Sequence, residues 1–430
     1  MTRLIFTIPL VFLGLLVSMF STDIKQDSEM TICAYMPQNK SNVNSPSDNN
    51  ASIKAIDIPF ENDPNKAYSM PLLAKTSSGD VMLSWTEKDD QGLVSFCVAF
   101  SKNQGKTFSD KKVIFSGNGI GNSRMMRAKV LSKKNGTFVA IFTNRSESAP
   151  NASGRGGRSS NIVFCESKDG GNTWTKPANV DSDPKQGIVR GFFDAIVMSN
   201  DEIAVAYLKD VAKSTKHEER DLRLVTSKDG IFQPERLIDP VVCDCCPINF
   251  LIDAEGRLNV FYRDNNDNIR DIARIVSGDN GQTFSKPEIV FNDKWEINGC
   301  PHSGAVSTIN GKGGLVSWFS GTDNEMGIRV ATTEGKRLFV LDDASAKNQY
   351  LVKTPTASVL FWEQNKDQNN PSQVAFRKIE DNKASEMTWV EGSANSTNVV
   401  GLNIGNTIII ANEIIQSNKK NKIKISTLSI

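Results

Sequence analysis

The chain is written in short apolar runs that end on an aromatic residue and are followed by polar sequence. Six of them read VMLSW to Trp85, FVAIF to Phe142, IAVAY to Tyr207, LNVFY to Tyr262, GLVSW to Trp318 and SVLFW to Trp362. A seventh, TIIIA ending at Ala411, has lost the aromatic. Runs this short and this continuous predict strands covered on both faces rather than helices. The runs recur at steps of 57, 65, 55, 56, 44 and 49 residues. A step of this size holds four strands and their turns, so the period predicts the blades of a propeller.

Between these runs lies a second repeat. SKNQGKTF (Ser101–Phe108), SKDGGNTW (Ser167–Trp174) and SGDNGQTF (Ser277–Phe284) share Ser-x-Asp/Asn-x-Gly-x-Thr-aromatic, and SKDGIFQP from Ser227 keeps only its first half. The Asp or Asn caps backbone N–H groups, the glycine takes a positive φ, and the aromatic packs down between strands. Three full copies at one phase after the aromatic strand resemble the Asp-box (BNR) repeats of the sialidase-like β-propeller superfamily. The resemblance spans residues 56–430. It implies an all-β fold of four-stranded blades. The repeat count gives seven blades, with the six of sialidases as the alternative. The segment IKAIDIPF, residues 53–60, is expected to supply the last blade's missing strand and close the ring. The resemblance also places the Asp boxes on third-to-fourth strand turns, opposite the ligand face, so their residues are read as structural.

The first residues change the picture of where the chain works. Arg3 precedes an apolar run over residues 4–20, which reads as an export signal or an N-terminal anchor over residues 1–22. Residues 23–55, rich in Asn, Ser and Asp, read as a flexible tether. An exported protein follows, periplasmic, cell-surface or secreted, with a membrane tether through the N-terminal segment as one option. Lys+Arg (50) and Asp+Glu (49) nearly cancel, which removes the basic field that a nucleic-acid partner needs. A monomer is expected.

Seven cysteines are present, and three crowd into VVCDCCPIN as Cys243, Cys245 and Cys246. In propellers of the resembled family, blade-to-blade links lie on the ligand face. Four links here collect Arg124, Arg127, Arg190, the cysteine triplet, Cys300 and His302, and the end of a second strand adds Arg263, Asp264 and Arg270. The two cysteine-bearing links enter neighbouring blades, so they should lie side by side. Three readings of the cluster stay open. A disulfide between Cys300 and one of the triplet is one. A copper or zinc site with His302 is another. A redox thiol is the third. Cys97 and Cys165 alternate with apolar neighbours in third strands and read as buried thiols. Cys33 falls in the tether, and His217 in a polar loop.

Sialidases hold a carboxylate with three arginines, whose planar forks match it, and use a Tyr–Glu nucleophile and an Asp acid/base around an oxocarbenium-like transition state. By that resemblance Arg127, Arg190 and Arg263, with Arg124 and Arg270 in reserve, are candidate ligands of an anionic sugar. Tyr262 and Asp264 are the candidate catalytic pair. The leading expectation is a glycan-binding propeller, with exo-α-sialidase hydrolysis left open. The alternatives are a metal or redox protein built on the cysteine cluster and an interaction scaffold without catalysis. The loop at residues 144–161, with Arg145, Arg155 and Arg158, could overhang the same face.

Overall fold

A computed structural model describes residues 51–147, 158–182, 188–211, 219–366 and 371–430. It is a seven-bladed β-propeller of antiparallel, four-stranded sheets. The blades begin on the inner strands Ala67–Lys75, Lys129–Ser132, Arg190–Val197, Asn249–Ile252, Val306–Asn310, Lys347–Lys353 and Ser396–Ile404. All seven apolar runs, the Ala411 copy included, form the second strand of their blade. Leu258–Arg263 is buried at every position, and Val81–Lys88 at all but its last. Both faces of such a strand are covered by adjoining blades, which is why the runs are continuously apolar.

Seven apolar clusters fill the seven seams between blades. The seam between the first and last blades packs Tyr68, Leu83 and Trp85 against Val400, Ile409 and Ile425. The ring closes as IKAIDIPF predicted. Ile56–Ile58 pairs antiparallel with the C-terminal strand Lys422–Ser429, Ile56 opposite Thr427. Asn62 clamps the join, its side chain donating to Ile423 O at 2.9 Å and accepting from Ile423 N at 2.8 Å. Ala51–Lys54, inside the span read as tether, is a strand running parallel to Thr388–Glu391 on the sixth blade. Among the described residues no helix is long and apolar enough to cross a membrane. The apolar run at 4–20, Cys33 and His217 lie outside the described residues, as does most of the 144–161 loop.

The three Asp boxes sit on third-to-fourth strand turns, as expected. In the second blade Asp169 accepts from the N–H groups of Asn172 (3.0 Å) and Thr173 (2.9 Å) and from the Ser167 and Thr173 hydroxyls. Gly171, at φ 83°, donates its N–H to Ser167 Oγ. In the worn copy Ser227 Oγ instead donates to Glu202.

Candidate functional site

On the opposite face, four inner strands open with a bulge that puts a non-glycine residue at positive φ: Met70, Phe192, Asn348 and Asn398. Buried carboxylates from neighbouring blades hold two of these openings: Glu413 accepts from Met70 N at 2.9 Å, and Glu363 accepts from Asn398 N. These two thereby pair backbone groups that strand bulges leave unmatched. Asp194 likewise ties blades together, accepting from Phe250 N at 2.8 Å and from the Lys129 ammonium. Burial raises the Glu363 pKa, with the Asn348 hydrogen bond and Arg124 working against it.

The link between the first and second blades makes one 3₁₀ turn, Arg124–Met126, with both methionines buried. Arg124 reaches across the ring and donates to His302 O at 3.3 Å. Glu363 and Arg127 act on it electrostatically, while burial lowers its pKa. Arg127 follows at the turn's end. Its guanidinium makes no hydrogen bond or ion pair among the described residues, and its Nε is shut off from solvent. Burial depresses its pKa, opposed by Tyr350, Glu413 and Glu363 nearby. Both arginines and Tyr350 are half-buried.

The other three arginines are enclosed. Arg190 is 0 % exposed and ion-paired with Asp181 at 2.7 Å. Arg263 is 1 % exposed; it donates to Ser303 O (3.0 Å), Ser303 Oγ (3.2 Å), Phe319 O (2.9 Å) and Arg270 O, and lies 5.0 Å from the Trp295 ring. Arg270 is fully buried beside it. The structure thus separates a half-buried pair, Arg124 and Arg127, from three arginines that are fully enclosed.

Tyr262 is buried and donates its hydroxyl to Asp239 on the preceding blade, as Trp318 one blade on donates to Asp293 at 2.6 Å. Burial, then the Asp239 bond, pushes the Tyr262 pKa far up. Asp264 lies on the wall of a separate cavity of about 360 Å³ with Asp239, Asn265 and Asn266. Burial raises its pKa, against hydrogen bonds from Asn265 N–H (2.8 Å) and the Asn266 amide (2.8 Å).

The two cysteine links do lie side by side. The sulfurs of Cys243, Cys245 and Cys246 stand within 4.8 Å of one another, and so do those of Cys245 and Cys300 and a ring nitrogen of His302. The triplet is buried, and Cys300 and His302 are half-exposed. Among the described residues no cysteine is in a disulfide. Hydrogen bonds from Cys245 and Cys246 hold the Cys243 thiol well below its usual pKa, whereas Cys245 and Cys246 are pushed up, the first by its thiol neighbours and the second by burial. Cys97 and Cys165 are buried in third strands as expected, and burial lifts their pKa values to about 12 and about 11.

Sequence reading missed Tyr350, Glu363 and Glu413 around Arg127. The signal was present: a carboxylate follows the apolar run directly in SVLFWE and closely in TIIIANE.

Residues 147–304 match the family model of the BNR repeat-like domain. No curated protein matches the chain. Among solved structures, an ulvan lyase bound to a saccharide of glucuronate and sulfated rhamnose superposes with a TM-score of 0.53 at 10% identity, over 89% of this chain and 97% of that one. A Dyadobacter fermentans protein of unknown function gives 0.52 at 13%, over 87% and 98%. The intramolecular trans-sialidase of Ruminococcus gnavus, in complex with oseltamivir carboxylate, gives 0.50 at 10%, over 87% and 97%. At these identities the likeness is one of fold.

Proposed function

We propose that this seven-bladed β-propeller, whose residues 147–304 match the BNR repeat-like domain, is an exported glycan-binding protein of the sialidase-like kind. It takes a carboxylate-bearing sugar at the channel mouth, on Arg127 and Arg124. The observation that carries this reading is the Arg127 guanidinium, half-buried and, among the described residues, without a hydrogen bond or ion pair of its own. A guanidinium withdrawn from water without a direct ion pair is costly, and a ligand carboxylate offsets that cost while matching its planar fork. Similar folds bind a uronate-containing saccharide and a carboxylate inhibitor, which is consistent with an anionic ligand here.

The reading stops at binding. Tyr262 has its hydroxyl committed to Asp239, and Asp264 lines a different cavity, so neither adds a nucleophile or an acid beside Arg127. The test is calorimetric titration of the full chain with N-acetylneuraminate and with glucuronate, each against its methyl ester. The acids should bind and the esters should not. Arg127→Gln should weaken binding by roughly 10–100-fold, the worth of one charged hydrogen-bonding pair. Esters binding as well as acids, or an Arg127→Gln variant that binds normally, would overturn the proposal.

A further inference from the structure

The cysteine links carry an inference that does not depend on the sugar. We propose that Cys243, Cys245, Cys246, Cys300 and His302 form a binuclear copper(I) site in which Cys245 bridges two three-coordinate ions.

Three observations support it. The first is the donor set. Four thiols and one imidazole converge from two consecutive blade links, and soft sulfur donors select copper(I) or zinc over hard cations. The second is how the donors group. They form two triads, Cys243–Cys245–Cys246 and Cys245–Cys300–His302, and the triads share only Cys245. Sulfurs about 2.3 Å from a metal stand roughly 4 Å apart, and each triad lies within 4.8 Å. Copper(I) accepts three donors in a plane. Structural zinc takes four in a tetrahedron, and five donors split into overlapping threes do not offer one naturally. The third is the surround. Four thiolates with two monovalent ions leave two negative charges. Arg124, bonded to the His302 carbonyl, and Arg263, bonded to Ser303, set two positive charges beside the donors.

The same arginines fix the geometry. Arg124 holds the His302 carbonyl, and Arg263 holds Ser303, the next residue. Arg220 donates to Asp244 O inside the triplet, and Asp244 accepts from Cys300 Sγ at 3.1 Å. Met125, Met126, Val242 and Ile248 pack around the buried sulfurs and keep that side dry. Cys300 and His302 are the half-exposed members, so ions enter past them. Loading releases the thiol protons to solvent, changes no oxidation state, and separates Cys243 and Cys246 from their 3.1 Å contact.

The experiment is anaerobic titration of the full chain with copper(I) as its acetonitrile complex, followed by thiolate-to-copper absorption and by elemental analysis after desalting. A parallel titration uses zinc, and free thiols are counted in denaturant. Two copper ions per chain are expected. Cys300→Ser and His302→Ala should each retain one, and Cys245→Ser should retain none. The half-exposed positions of Cys300 and His302 make those two variants the controls for folding, with thermal unfolding as the check. One zinc per chain that copper does not displace would overturn the assignment. So would a metal-free chain with triplet thiols lost to a disulfide, or a Cys245→Ser variant that still holds two ions.

Discussion

The two faces of the ring are stabilised in opposite ways. On the Asp-box face each turn is nearly self-sufficient: Asp279 accepts from Ser277, Gln282 and Thr283, all within its own turn. On the link face the decisive bonds run between blades and links. Arg263 reaches Ser303 and Phe319, Arg124 reaches His302, and Asp194 joins Lys129 to Phe250. Local turns can be copied from blade to blade because their hydrogen bonds close within the turn. Links held by distant partners are free to differ, and this is where the unusual chemistry has collected.

This difference predicts unequal responses to mutation. Arg263→Ala should be the most damaging single change. It strips donors from several buried acceptors, and each orphaned acceptor costs about 1–3 kcal/mol, so a total of at least about 3 kcal/mol is expected in urea unfolding. Because the anchor holds Ser303, copper capacity should fall in the same variant, and Arg263→Lys should restore little of either, a point charge being a poor substitute for the fork. A loss no greater than that of an Asp-box variant would erase the contrast between the faces.

A smaller effect is expected at Gly281→Ala. The residue sits at φ 78°, and an added Cβ would lie 3.1 Å from Thr226 Cγ2 on the preceding blade. Left-handed strain of about 1 kcal/mol, with slight crowding, should lower stability without altering metal or sugar binding. Gly230, in the worn copy, is also at positive φ, at 77°, but a Cβ there meets nothing within 4 Å. Gly230→Ala should therefore cost less than Gly281→Ala. Equal losses at the two sites would mean that packing against the neighbouring blade contributes nothing to the Asp box.

The parts of this architecture that sequence revealed are those in which a residue's own neighbours dictate its place. Double-sided burial writes VMLSW and LNVFY as unbroken apolar runs, and the Asp box carries its hydrogen bonds within eight residues. The closing strand at Ile56–Ile58 was legible because the last repeat was one strand short. Ala51–Lys54 was not: it is a mostly exposed edge whose register depends on the distant Thr388–Glu391. The links showed which residue types gather at the mouth but not their partners. Nothing in QGIVRGFF announces that Arg190 will be neutralised by Asp181, and nothing in MMRAK announces that Arg127 will make no ion pair among the described residues. Pairings of that kind are decided when blades meet.

The smallest effect should be the one confined to the Asp-box face. Hydrogen bonds from the Thr173 hydroxyl and N–H, and then from Ser167, pull the Asp169 pKa down to about 2 from 3.8. The folded chain therefore binds this proton more weakly than the unfolded chain does. The stabilisation is complete above the unfolded value, declines as pH falls from about 4, and is gone once pH passes through the folded value near 2. The Asp169 turn is exposed, so solvent screening keeps the contribution small. Urea midpoints of the chain and of Asp169→Asn should differ most above pH 5 and converge as pH approaches 2. Asn103 already occupies the equivalent place in the first blade, where its amide donates to Thr107 Oγ1 at 2.8 Å and its carbonyl oxygen accepts from Thr107 N at 3.0 Å. The variant should accordingly keep the turn and lose only the pH dependence. A gap between the two midpoints that persists unchanged to pH 2 would show that the carboxylate's charge plays no part in the turn.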